Sequence, residues 1–112
     1  MKKENTNIET VAEDVKTALK SEYGDKLKSL LLPKDDLCEQ HKEVLAVVPS
    51  RSIVSQYLRF AKENPNKAQE ILIKNCLLTS KEEVLADDGM FYAAVGLLAE
   101  LIPVREGKFG RL

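Results

Sequence analysis

The spacing of apolar positions changes from segment to segment along the chain. Ile8, Val11, Val15 and Leu19 recur every three or four residues, as on one face of a helix. Thr10 and Glu13 have capping-box spacing, and Gly24 suits a helix end, so the pattern predicts a thin amphipathic helix over 9–22. Two compact apolar runs follow, Lys28 to Leu32 and Glu43 to Val48, and each stops at a proline, Pro33 or Pro49. Their length fits strands, and proline donates no ladder hydrogen bond, so the pair reads as a β-hairpin with a long polar connection.

From Ser50 onward the period is helical. Ser50 is a capping residue, and Ile53, Val54, Tyr57, Leu58 and Ala61 line one face. At Asn64-Pro65 one helix must end and the next begin. The residue before a proline avoids helical dihedrals, while proline suits a first helical position. Ala68, Ile71, Leu72 and Cys76 then form the stripe of a second helix over 65–77. Residues 79–83 are polar, and Asp87 and Asp88 supply a cap and negative charge for a last helix. That helix, over about 88–102, holds Glu100 as its one charge after Gly89 and belongs at the centre of the core. Gly96 within it reads as a point of close helix approach. The pattern as a whole predicts one α+β, mainly helical domain: an N-terminal helix, a short hairpin and three C-terminal helices. Residues 1–7 and 105–112 are expected to be flexible.

A length of 112 residues suits a single domain spanning 1–112. With 5% aromatics and no Trp, the core must be aliphatic. Seventeen Lys and Arg against 18 Asp and Glu give a net charge of -1, without the basic excess that phosphate binding favours. The first residues lack an apolar signal core, no run approaches membrane-spanning length, and two cysteines make no disulfide framework. A cytoplasmic protein with no membrane partner is the expectation.

Each candidate for chemistry meets a simpler explanation. Cys38-x-x-His41 has ligand types at ligand-like spacing, but a structural zinc site needs four ligands and the chain offers one further cysteine and no second histidine. The same pair as nucleophile and base lacks an oxyanion hole and a cleft. Asp35-Asp36 suit a turn and Asp87-Asp88 a helix cap. No glycine pattern makes a phosphate loop. No catalytic residue, metal or cofactor is therefore expected. Arg51, Arg59 and Lys62 could form a basic helix face, the alternative reading being a small nucleic-acid-associated regulator. The last helix has more apolar surface than one stripe, through Met90, Phe91, Tyr92, Val95, Leu97, Leu98, Leu101 and Ile102. Part of it can serve as an interface, with itself or with a client.

Between Val48 and Leu112 a set of features recurs in order: Pro49 closing a strand, a helix, the Asn64-Pro65 corner, a helix ending at Cys76, the acidic pair Asp87-Asp88, the apolar segment Phe91 to Ile102, and a basic tail. This order resembles small proteins of phage and prophage tail modules, the tail assembly chaperones and related short proteins encoded near the tape-measure gene. The resemblance covers about the last 65 residues. The charged N-terminal helix departs from it, and nothing in residues 1–27 matches. The resemblance implies binding, not catalysis: coating a long, aggregation-prone tape-measure helix in the host cytoplasm before the tail tube polymerises. Such a protein needs an apolar groove for an amphipathic helix. Phe91, Leu97 and Leu101 are the anchors expected here, in a chain that can also form a homo-oligomer.

Overall fold

The computed structural model describes residues 8–112, so the expectation for residues 1–7 lies outside the described residues. Three strands and five helices follow in the order β1 (Ile8–Glu9), α1 (Glu13–Tyr23), β2 (Leu27–Pro33), β3 (His41–Val47), α2 (Arg51–Phe60), α3 (Pro65–Cys76), α4 (Lys81–Ala86) and α5 (Asp88–Glu100). The architecture is α+β, as the spacing predicts.

β2 and β3 are antiparallel, with Leu30 opposite Val44 and Pro33 opposite His41. The long connection is organised by Asp35. Its carboxylate accepts from the Glu39 and Gln40 amides at 3.0 and 3.1 Å, and its carbonyl accepts from Cys38 N–H at 3.0 Å. Cys38 sits at φ 57°, a left-handed position uncommon outside glycine and asparagine. β1 lies parallel to the start of β3, giving the sheet order β1-β3-β2. Further along, the edge of β3 is closed by the chain leaving α3. Leu78 N–H donates to Leu45 O at 2.8 Å, and Leu45 N–H donates to the Thr79 hydroxyl at 3.0 Å.

Strand alternation divides the sheet into two faces. Leu30, Leu32, Val44 and Ala46 meet Leu72, Ile73 and Cys76 of α3, Val84 of α4, and Met90, Phe91, Ala94, Val95 and Leu98 of α5. These residues form the apolar core. Each large side chain there contributes roughly 1.5–3 kcal/mol by leaving water. The local signals for α2, α3 and α5 act as their sequences suggest. Ser50 accepts from Ile53 N–H, Asn64 from Lys67 N–H ahead of Pro65, and Asp87 from Met90 N–H.

Three expectations need correction. The first helix begins at Glu13, not residue 9, and Thr10 does not cap it; the cap position is Ala12, with no side-chain hydrogen bond. Ile8 and Glu9 are drawn into the sheet as β1, and Val11 N–H is held by the Glu43 carboxylate at 3.0 Å, so the chain stays extended to Ala12. The region after α2 holds three further helices, not two, because α4 forms over Lys81–Ala86. Its short helix buries Val84, and Lys81 donates to the Lys74 carbonyl at 2.7 Å, covering an open end of α3. Gly96 meets nothing within 4 Å of where a Cβ would stand, so no helix of this chain approaches it closely.

Candidate protein-binding surface

α5 packs on β2, α3 and α4, and its side chains divide around its axis. Met90, Ala94 and Leu98 point inward with Phe91 and Val95. Phe91 is 7% exposed and belongs to the core, so it is not free to anchor a client. Leu97 and Leu101 are half-buried, each packed against the core with one side left to solvent. The open strip runs through Tyr92, Gly96 and Glu100, four residues apart on one ridge of the helix. Ala93, Leu97 and Leu101 form the neighbouring ridge. Tyr92 is 58% exposed, and its ring meets Phe91 edge-on at 5.3 Å. Gly96 leaves a notch between Tyr92 and Glu100, a mostly apolar surface able to take another helix at close range.

The basic face expected on α2 is present in outline. Arg51, Arg59 and Lys62 are exposed, and none makes an ion pair among the described residues. Arg59 stands 5.8 Å and Lys67 4.6 Å from the centre of the Phe60 ring. This cation–π grouping neutralises no charge and leaves a small positive knob at the α2–α3 corner.

Cys38 is an exposed loop thiol, and His41 is half-buried at the start of β3. Among the described residues, no group of three or more His, Cys, Asp or Glu is placed to hold a metal ion. Cys76 lies in the core, where burial pushes its thiol up to about 11.

The strongest electrostatics form two groups, one under α1 on the opposite sheet face and one where β1 meets β3, and spacing alone gave no sign of them. Glu43 is 7% exposed and follows His41 and Lys42 in β3, directly before the apolar run Val44–Val47. Its carboxylate accepts from Ser29 Oγ at 2.5 Å, Val11 N–H at 3.0 Å and Lys16 Nζ at 3.0 Å. Burial works against its charge, but Ser29, the Val11 amide and Lys16 outweigh it and leave the group below the ordinary carboxylate value. Glu9 bridges Lys34 and Lys42, both at 2.9 Å, and these ammonium groups hold its carboxyl down to about 2. Lys42 is raised, chiefly by Glu9 and also by Glu83 at 3.3 Å. A cavity of about 210 Å³ opens beside Glu43 and Lys16 between α1 and the sheet, floored by Leu27 and Leu45. Glu43 and Lys16 join α1 to the sheet, while Glu9, Lys34, Lys42 and Glu83 tie β1 and α4 to the β2–β3 pair, which reads as structural wiring.

No family model matches the chain, and no curated protein matches it. Among solved structures, the chain is similar to that of uncharacterised protein RBSTP2171 from Bacillus stearothermophilus. The two are 13% identical with a TM-score of 0.62, over 86% of this chain and 99% of that one. At that identity the likeness shows a shared α+β fold. No helix of the described residues is long and apolar enough to cross a membrane.

Proposed function

We propose that this protein is a non-enzymatic assembly factor that holds an amphipathic helix of a client protein on the open face of α5, as a phage tail assembly chaperone holds a tape-measure segment. The observation that supports this most is the mismatch between the composition of α5 and its packing. A helix with a single charge after its first turn is covered on one side only, with Gly96 facing open space and Leu97 and Leu101 half-covered. The resemblance in the order of elements from Pro49 to the basic tail supports the tail-module reading and, with it, a place in the host cytoplasm. The binding ridge is Ala93, Leu97 and Leu101 beside the Gly96 notch, with Phe91 supporting it from beneath.

The reading expects a tape-measure gene beside this one, and the test is co-expression with its product; neighbouring genes without one count against the reading. A soluble complex is expected, and Gly96→Arg is expected to abolish it while leaving the fold intact, because the new side chain enters open space. A tape-measure protein that stays insoluble, or a complex indifferent to Gly96→Arg, overturns the reading.

The unpaired cations Arg51, Arg59 and Lys62 support a second reading, a nucleic-acid-associated regulator. It requires salt-sensitive DNA retention, and failure to retard DNA at low salt removes it.

A further inference from the structure

We propose that the tail of residues 104–112 is a docking segment that seats in the groove at the N-terminal end of α5 in a second copy of this chain. The tail makes no hydrogen bond among the described residues and forms no regular element. Val104 is 82% exposed, and Phe109 and Leu112 are fully exposed. The radius of gyration is 16.0 Å, against about 13 Å for a compact chain of this length, and the longest extent is 58 Å. The tail thus stands clear of the body, its apolar side chains set among Arg105, Lys108 and Arg111 with Glu106 as the one acid.

The groove that fits this segment lies between α3, α4 and α5 and has a volume of about 310 Å³. Leu85, Phe91 and Tyr92 form its apolar wall, and Glu70 and Asp88 supply negative charge. Lys74 is its single cation and already sits 3.5 Å from Glu70, in an exposed pair of little energetic value. An aromatic side chain flanked by cations matches a wall of Tyr92 and Leu85 flanked by carboxylates. Phe109 between Gly107 and Gly110, with Lys108 and Arg111 on either side, is that side chain. The outer edge of β2, which has no partner strand among the described residues, carries Lys28 and would repel this tail. The groove of the same copy lies about 20 Å along the helix axis from the start of the tail, within the span of an extended segment, but in this structure the tail stands clear of it, which leaves tail and groove both open to a neighbour. Each copy carries one tail and one groove, so association is head-to-tail, ending in a reciprocal pair or continuing into larger rings.

Sedimentation velocity of the full chain, diluted from on the order of 100 µM, tests this. Association is expected at about 0.05 M salt and should weaken at about 0.5 M. Phe109→Ala and Glu70→Lys should each weaken it about tenfold. Phe109 is fully exposed, so the first variant should melt as the parent does. Mixing the two variants leaves one intact tail and one intact groove and should give dimers only. A monomer at every concentration overturns the proposal, including one whose tail folds back onto its own Tyr92. So does association indifferent to salt and to Phe109→Ala.

Discussion

The two faces of the sheet are held by different physics. On one, Leu30, Leu32, Val44 and Ala46 press against three helices in a dry layer that leaves Leu72, Ile73, Val84, Ala94 and Leu98 with no exposed surface. On the other, α1 has no buried residue and is tied down by one carboxylate, Glu43, with three partners. Apolar packing is spread over many atoms and degrades by degrees. A polar tie is concentrated and fails when one group is removed or protonated. The core layer should therefore set global stability, while the α1 layer should open on its own.

The largest effect is expected on the core face. Leu98→Ala removes a fully buried side chain from the middle of α5 and should cost about 2–5 kcal/mol in denaturant unfolding. Cys76 reports the same event, since its buried thiol should resist alkylation until the core opens, whereas Cys38 should react at once. If Leu98→Ala costs no more than a surface substitution, the division between faces is wrong.

On the other face, Glu43→Ala strands the Ser29 hydroxyl, the Val11 amide and Lys16. It should cost about 1–3 kcal/mol, and the loss should be local. Amides of α1 should exchange faster while those of α3 and α5 keep their protection. Acid should mimic the substitution. The unfolded chain takes up protons on Glu43 and Glu9 at higher pH than the folded chain does, so stability rises with pH across that interval. The contribution of Glu9 is complete above about 4.5 and disappears as pH falls towards about 2, and that of Glu43 is lost in the same direction, on acidification. Hydrogen exchange followed through acidification should show α1 opening while Cys76 is still protected. Simultaneous loss of both layers would contradict the comparison.

The smallest effect concerns the open strip of α5. Gly96→Ala places a methyl group in free space on a helix and should raise stability by about 0.5–1 kcal/mol. A loss instead would mean that Gly96 is already packed.

What could be read from sequence follows the range of the forces involved. Ser50, Asn64-Pro65 and Asp87 cap helices within three residues of themselves, so α2, α3 and α5 are legible in linear order. The start of α1 is not, because what holds the chain extended to Ala12 is Glu43, 32 residues beyond Val11. The strand Ile8–Glu9 is too short for a period, and α4 has six residues and one fully buried position, Val84. The apolar excess of α5 is visible in composition, but which residues remain open depends on where the sheet lies. Phe91 and Tyr92 are neighbours about 100° apart on the helix, and packing sends the first inward and the second outward. A lone Glu opening the run EVLAVV was the available hint of the Glu43 tie, since a carboxylate facing an apolar layer must find partners.

The claim that α5 is a binding surface is tested most directly by placing a photo-cross-linking benzoylphenylalanine at position 96 and, as a control on the opposite sheet face, at position 31, an exposed leucine opposite Glu43. Each form is co-expressed with the tape-measure protein. The account predicts an adduct with the client from position 96 and none from position 31. Cross-linking from position 31 alone, or equally from both, would contradict it.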